Sequence, residues 1–179
     1  MAEKTAFFAA AAAVLITLAT ASHAQSRFEE DFDDKEKPWQ EIAVQLPAAP
    51  QQADLVPFYV SATATQSFAI DTRSLSVGQD GVIRYTLVAI SDAGAKNVSY
   101  EGIRCATYER KLYAFGRSDG SWSRSRRDQW ERIQSSAANR HHAALTKDFF
   151  CVEKTIAGTG EDIVRRLRAG QTLAPHSNR

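Results

Sequence analysis

The sequence predicts an α+β fold: a single antiparallel β-sheet of about five or six strands, packed by C-terminal helices and held by one disulfide. Three observations predict it. Between residues 56 and 133, short runs rich in aromatic and β-branched residues alternate with turn signals, a pattern typical of antiparallel strands. After residue 135 the apolar residues recur with a helical period. The two cysteines lie one in each part, at Cys105 and Cys151.

The first 24 residues are expected to be a signal peptide rather than part of the fold. Lys4 precedes an apolar run over residues 6–19, and small residues two apart end at Ala24. An uncleaved membrane anchor is the alternative, but a membrane span needs about 20 apolar residues, and this run is shorter. We therefore expect cleavage, a periplasmic location and no transmembrane segment in the mature chain.

Residues 25–55 are expected to form an acidic, proline-containing extended arm. Acidic side chains outnumber basic ones between residues 27 and 41, which is typical of a solvated segment. That stretch contains no glycine, which a calcium loop would require, so no metal site is expected there. We expect Trp39 and Ile42 to dock the end of the arm onto the domain.

Residues 56–170 are expected to form the single α+β domain. The strongest strand prediction is residues 82–91, where both faces of the alternating pattern are apolar and a central strand is indicated. The other predicted strands are residues 57–61, 66–71, 97–107 and 111–115, with short strands near Trp122 and at residues 130–133.

Two irregularities are predicted within these strands. Residues 71–74 have the composition of a turn. In the predicted strand at residues 97–107, the alternation of side chains places Val98 and Tyr100 on one face and Ile103 and Cys105 on the other. A bulge at Gly102 would return both pairs to one core face.

Two helices are predicted after the strands. Ser135 or Ser136 can cap a helix that runs to about Phe149, with an apolar stripe on one side. The second helix is capped by Thr159 and ends at Gly170, with Asp162 completing a capping pattern. Residues 171–179 are expected to be a disordered tail.

The two cysteines are expected to pair as a structural disulfide. Two cysteines in an exported chain usually pair, although a free buried thiol and a redox pair are alternatives. Redox motifs hold their cysteines close together as C-x-x-C, whereas Cys105 and Cys151 are far apart. Such a bridge would contribute about 4 kcal/mol in the chain-entropy model.

No catalytic or cofactor motif is found in the sequence. His141 and His142 are adjacent, so they cannot both face one metal from a helix, and His142 lies on the apolar stripe as a core or rim histidine. Glu101 and Glu153 have no identifiable partner, and no Gly-x-Ser-x-Gly nucleophile elbow occurs. We expect no metal and no cofactor.

The most suggestive stretch is residues 117–132, where arginines alternate with tryptophans. Arginine together with aromatic side chains suits contacts with phosphate, sulfate or sugar. The alternative is a sheet-edge loop with solvated arginines and two tryptophans packed inward. The net charge of +1 argues against a general polyanion binder, and no nucleic-acid partner is expected. The candidate binding residues are Arg117, Trp122, Arg124, Arg126, Arg127 and Trp130.

Several segments together resemble the CNP-one-like family, a group of exported proteobacterial proteins. The similar segments are residues 68–71, 74–76, 80–88, 97–105 and 113–116. The resemblance implies no activity and brings no functional residues. A looser likeness in layout, to the surface-adhesin protein E fold, implies an antiparallel sheet, a C-terminal helix and a Cys105–Cys151 bridge.

The leading functional expectation is a non-enzymatic protein of the cell envelope that binds a macromolecular partner through the arginine and tryptophan segment. One alternative is a small periplasmic hydrolase or sugar-active enzyme that uses Glu101, His141 or His142. Another is a dimeric structural module of the envelope. The oligomeric state does not follow from the sequence.

Overall fold

The computed structural model describes residues 38–134, 136 and 139–174. The predicted signal peptide and the acidic part of the arm, up to residue 37, lie outside these residues. Within the described residues, no helix is long and apolar enough to cross a membrane. Residues Trp39–Arg179 form one unit, and the description below concerns that unit.

Seven strands followed by two helices appear in the predicted order, and an unpredicted two-stranded hairpin lies between the helices. A short 3₁₀ turn at Gln52–Asp54 leads into β1, and the first helix continues directly into a π-helix at Leu145–Phe150. The strands are β1 (Leu55–Phe58), β2 (Gln66–Val77), β3 (Val82–Ser91), β4 (Lys96–Arg104), β5 (Glu109–Gly116), β6 (Trp122–Arg124), β7 (Glu131–Arg132), β8 (Cys151–Val152) and β9 (Thr155–Ile156). The α-helices are α1 (Arg140–Ala144) and α2 (Gly160–Ala169).

The main sheet is an antiparallel meander. Strands β1 to β6 are hydrogen-bonded in sequence order. Strand β5 pairs with β6 through its C-terminal half and with β7 through its N-terminal half. Strand β3 lies in the middle, and its residues 82–89 are all buried, which confirms the central strand that its two apolar faces predict. Strands β8 and β9 form a separate two-stranded hairpin.

One face of the sheet, which we call the helix face, carries the main hydrophobic core. Alternate side chains of β3 on this face pack beneath α2 and the π-helix: Ile83, Tyr85, Leu87 and Ala89. The disulfide between Cys105 and Cys151 joins the turn after β4 to the end of the π-helix, with a Cα–Cα distance of 5.6 Å. Both cysteines are buried, so the predicted structural disulfide is confirmed.

The opposite face, which we call the second face, is covered by residues 39–50. We call this segment the N-terminal extension. Its Val44 and Leu46 pack against a small cluster formed by Tyr100, Tyr113 and Ala114. The predicted domain boundary at residue 56 therefore falls after a segment that already contributes to the packing of the domain.

The predicted bulge at Gly102 is wrong. The β3–β4 ladder is regular through Gly102, and the irregularity lies in the β4–β5 ladder, where Tyr113 is the extra residue. The prediction failed because it assumed one buried face, whereas Tyr100 is buried on the second face and Ile103 on the helix face. Gly102 is needed for a different reason: a Cβ there would lie 2.5 Å from the Tyr113 hydroxyl.

The predicted turn at residues 71–74 is an interruption within a strand rather than a reversal of the chain. Strand β2 runs through it, and the pairing with β3 breaks between Asp71 and Ser76. The composition of a turn is explained by local hydrogen bonds, since the Asp71 carboxylate accepts from the Arg73 amide and the Ser74 hydroxyl donates to the Asp71 carbonyl.

The first predicted helix begins later and ends differently than expected. Helix α1 starts at Arg140, not near Ser135, and its last turns widen into the π-helix. At its end the adjacent Phe149 and Phe150 are both buried.

The second helix and the tail are described to residue 174. The capping box of Thr159 and Asp162 and the left-handed Gly170 at the end of α2 confirm the prediction. Of the predicted tail, residues 171–174 are described, and the Leu173 amide donates to the Asp148 carbonyl at 2.8 Å. Residues 175–179 lie outside the described residues.

Candidate functional site

The second face holds a cluster of charged side chains centred on Glu41 of the N-terminal extension. Its carboxylate accepts hydrogen bonds from Lys111 Nζ at 2.8 Å and from the Tyr113 hydroxyl at 2.6 Å. The guanidinium of Arg84 lies 3.8 Å from the same carboxylate and 2.6 Å from Asp80. These buried cations of β3 and β5 are therefore compensated by acids from the extension and from the β2–β3 turn.

Burial and these contacts act in opposite directions on the ionisable groups. Burial alone would lower the pKa of Lys111, but its hydrogen bonds with Asp128 and Glu41 raise it above its ordinary value. Burial, followed by the hydrogen bond to Glu41, raises the pKa of Tyr113 far above its ordinary value. Lys111 is therefore held as a cation and Tyr113 as a neutral donor at neutral pH.

The two tryptophans of the candidate segment are part of this packing rather than an exposed surface. The indole N–H of Trp122 donates to the Pro47 carbonyl of the extension at 2.7 Å. The ring of Trp130 meets that of Trp39 edge to face at 5.8 Å, and Arg104 lies over the Trp39 ring at 3.9 Å. Trp39 thus docks the extension, as the sequence predicts. The Ile42 side chain, predicted to dock beside it, is 46% exposed, and among the described residues only its backbone amide and carbonyl are bonded.

The four candidate arginines are all exposed. Arg117 lies after β5, Arg124 ends β6, and Arg126 and Arg127 lie in the loop that follows. We call these four residues the arginine edge. The register places Arg124 on the same face as Trp122, beside the docked extension.

The acids of the same segment are engaged by other groups. Asp128 forms an ion pair with Lys111 at 2.7 Å, and Glu131 pairs with Arg110 at 2.9 Å. Asp119 accepts from the amide and hydroxyl of Ser121, which closes its own turn. Within the described residues, Arg124, Arg126 and Arg127 consequently have no acidic partner.

The loop that carries Arg126 and Arg127 is organised by Ser125. The Ser125 amide donates to the Tyr113 carbonyl at 2.8 Å, which extends the pairing of β5 with β6 by one bond. Its hydroxyl accepts from the Arg127 amide and donates to the Arg127 carbonyl, each at 3.1 Å. These bonds order the backbone between Ser125 and Arg127, while Arg124, Arg126 and Arg127 are exposed.

A second polar group lies on the helix face, where β4 meets α1. Glu101 of β4 accepts from Ser99 at 2.7 Å and from the Tyr85 hydroxyl at 3.1 Å, and its carboxylate lies 2.7 Å from His142 Nε2. Although burial opposes ionisation, the charge and hydrogen bond of His142 lower the pKa of Glu101 to about 2. Glu101 and His142 are only 5% and 3% exposed.

The prediction that Glu101 lacks a partner is therefore wrong, because its partners come from a neighbouring strand and from a helix 41 residues away. His142 is a buried core histidine, as predicted. His141 is only partly buried and stacks on Phe68 at 4.6 Å, so the two histidines face different surroundings. Glu153 lies in the turn between β8 and β9, at positive φ, and its carbonyl accepts from the Tyr108 hydroxyl.

Sequence reasoning also missed Glu41, Arg84 and Lys111. A signal was present for Arg84, which is the one charged residue of β3, and a charged residue in a buried strand requires a partner. Lys111 gave a weaker signal, because it follows Glu109 and Arg110 in β5. The identity of that partner could not be read, since Glu41 is 70 residues away from Lys111. Within the described part of the chain, no group of three or more metal-binding side chains is found.

The fold and this site define a disulfide-linked α+β domain whose meander sheet is packed by helices on one face and by an N-terminal extension on the other. The chain belongs to the CNP1-like family, whose model matches residues 34–168. Searches against curated proteins and against solved structures gave no match.

Proposed function

We propose that this domain is a non-enzymatic, periplasmic protein that binds an anionic glycolipid of the cell envelope through the arginine edge. The observation that carries the proposal is the position of Arg124, Arg126 and Arg127. They are exposed on one fixed edge, and the nearby acids are engaged by other groups. Arginine presents a planar fork of donors that fits phosphate oxygens, which makes such an edge suitable for phosphorylated headgroups.

The near-neutral charge of the whole chain supports a local rather than a general attraction for anions. A net charge of +1 provides little long-range pull, so binding depends on the arginines concentrated at one edge. Because these charges are exposed, salt should screen the interaction strongly. The tryptophans act indirectly in this proposal, since Trp122 and Trp130 anchor the edge to the extension.

The test is co-sedimentation of the purified protein with phosphatidylcholine vesicles that do or do not contain a phosphorylated glycolipid. The unaltered protein should sediment with the glycolipid vesicles at low salt and be released at high salt. The triple variant Arg124→Ala, Arg126→Ala, Arg127→Ala should lose this binding. The matched control Lys96→Ala, Lys147→Ala, Lys154→Ala removes three exposed cations elsewhere and should retain it.

Equal loss in both triple variants would show attraction by net charge alone and would refute a dedicated edge. If both triple variants still bind the glycolipid vesicles, the arginines only solvate the surface and do not form the binding site. If the protein binds a soluble phosphorylated polymer but not the vesicles, the ligand is a polymer and the glycolipid proposal is refuted.

The two alternative functions remain predictions with different requirements. A hydrolase that uses Glu101 and His142 needs a route for substrate to a pair that is buried between β4 and α1. A dimeric envelope module predicts a sedimentation mass of two chains. An unchanged monomer mass across the working concentration range would exclude that module.

A further inference from the structure

A cavity of about 420 Å³ lies between the β1–β2 connection and the start of α1. Its polar lining comes mainly from threonines, one glutamine, Arg140 and His141, and its apolar wall includes Val60 and Phe68. Among residues 38–134, 136 and 139–174, no acidic side chain lines it. None of its lining residues belongs to the arginine edge, so the inference below does not depend on the proposed function.

Arg140 provides a positive charge that no acid neutralises within the described residues. Its side chain is partly buried, and Nη1 donates to the Ser61 hydroxyl at 3.1 Å and to the Thr63 hydroxyl at 2.8 Å. Hydroxyl groups orient a guanidinium but do not compensate its charge. A partly buried cation without a carboxylate partner is unusual, because charged groups away from bulk water are normally paired.

His141 forms the wall beside this cation and is held in place by ring contacts. It stacks on Phe68 with an interplanar angle of 13°, and its ring centroid lies 3.9 Å from that of His142. Burial, together with the charge of His142, lowers the pKa of His141 to about 4. At neutral pH His141 therefore adds a polar ring without adding a second charge, and the cavity carries a single cation.

We propose that this cavity binds a small organic acid, with its carboxylate on Arg140 and its apolar body against Phe68 and Val60. One guanidinium matches one carboxylate, since two parallel N–H···O bonds satisfy both groups. The apolar wall favours a ligand with a hydrocarbon or aromatic body over a bare inorganic anion. The hydroxyl contacts of Arg140 hold the guanidinium in place before the ligand arrives, which reduces the entropic cost of binding.

Benzoate is a suitable probe because benzamide has the same shape without the charge. Titrations of the ¹⁵N-labelled full chain, followed by NMR, should show saturable benzoate shifts at Thr63, Phe68 and His141. Benzamide and the Arg140→Gln variant with benzoate should each bind at least about tenfold more weakly, a loss of about 1.4 kcal/mol. The control Lys147→Gln removes an exposed cation outside the cavity and should not change the affinity.

A second variant keeps the test meaningful if Arg140→Gln does not fold. Ala64→Phe fills the cavity while leaving Arg140 unchanged, and it should abolish the benzoate shifts. The proposal is overturned if benzoate gives no saturable shifts at these residues or if benzamide binds equally well. It is also overturned if either cavity variant binds like the unaltered protein, or if inorganic phosphate binds more tightly than benzoate.

Discussion

The two faces of the sheet are closed by different physical means. The helix face is covered by α2 and the π-helix through a continuous apolar core, and a disulfide fixes the cover in place. The second face is covered by a short extended segment with only Val44 and Leu46 in its apolar cluster. There, the packing relies on Glu41 and on indole N–H groups that bond to backbone carbonyls.

This difference shows that an extended segment can cover a sheet when it satisfies the polar groups beneath it. The cations of Arg84 and Lys111 would be costly under an apolar cover, since burying an unpaired charge is strongly unfavourable. The extension supplies Glu41, and the nearby turn supplies Asp80. We therefore expect the helix face to lose most stability when its disulfide or a buried hydrogen bond is removed. The second face should lose most when a charge pair is removed.

The largest effect is expected on the helix face when the disulfide is removed. Replacing both Cys105 and Cys151 by alanine should lower the free energy of unfolding by about 4 kcal/mol, because the bridge restricts the unfolded chain. Urea unfolding followed by circular dichroism measures this loss. Reduction of the unaltered protein should give a comparable loss, and a change below about 1 kcal/mol in both experiments would contradict the proposed role of the bridge.

The next effect concerns Glu101, the buried acid that contacts His142 of α1. Glu101→Leu should lower the free energy of unfolding by about 3 kcal/mol, because Tyr85, Ser99 and His142 would lose their common acceptor. Glu101→Gln keeps an acceptor of similar shape and should cost less. Chemical unfolding of both variants at neutral pH measures the difference, and equal losses would show that packing, rather than hydrogen bonding, dominates.

The same residue gives a pH dependence with a defined sign. The folded pKa of Glu101 is about 2 and its ordinary value is 4.5, so the ionised acid stabilises the fold above about pH 4.5. This stability should fall progressively as the pH drops from 4.5 towards 2. The difference in unfolding free energy between the unaltered protein and Glu101→Gln should shrink over that range, whereas a constant difference would be inconsistent with a lowered pKa.

A smaller effect is expected on the second face at Glu41. Glu41→Ala should lower the free energy of unfolding by about 2 kcal/mol, because Lys111 and Tyr113 lose a charged acceptor. The exposed Glu153→Ala is the matched control and should change little. A further readout is the combined tryptophan fluorescence, which should move towards the spectrum of exposed indoles if the extension detaches, because all three tryptophans lie in it or contact it. Equal stability of the two variants would argue that Glu41 does not hold the extension.

The smallest effect is expected at Trp39, which is 43% exposed. Trp39→Ala removes an edge-to-face contact with Trp130 and a hydrogen bond to the Asp80 carbonyl, and should cost about 1 kcal/mol. Tyr59→Ala, an aromatic residue that is 64% exposed, is the control and should be nearly neutral in thermal unfolding. If Tyr59→Ala lowers stability more than Trp39→Ala, the contacts of Trp39 do not stabilise the fold as proposed.

Much of the fold could be predicted because its signals are local. The two-sided apolar pattern of β3, the capping pattern at Thr159 and the end at Gly170 each lie within one element. The disulfide required only two cysteines and an expectation of an oxidising compartment. The π-helix could not be foreseen, since the stripe that ends at Phe149 fits an ordinary helix equally well.

The candidate site was only partly predictable, because its contacts join residues far apart in sequence. The composition of residues 117–132 indicated that its arginines are exposed to solvent, and Arg124, Arg126 and Arg127 are exposed. The orientation of Trp122 depended on a carbonyl 75 residues earlier, and no period or spacing encodes that contact. The false bulge at Gly102 has the same origin, since the cover of the second face could not be foreseen.

The meander order of the sheet has a consequence for how the chain assembles. Each of the first six strands pairs with its sequence neighbour, so contact order within the sheet is low and pairing can proceed from the amino-terminal side as chain is released. The extension cannot complete its docking then, because its anchors arrive only with Lys111, Trp122 and Trp130. The N-terminal extension precedes every strand in the chain, yet it is expected to be among the last segments to dock.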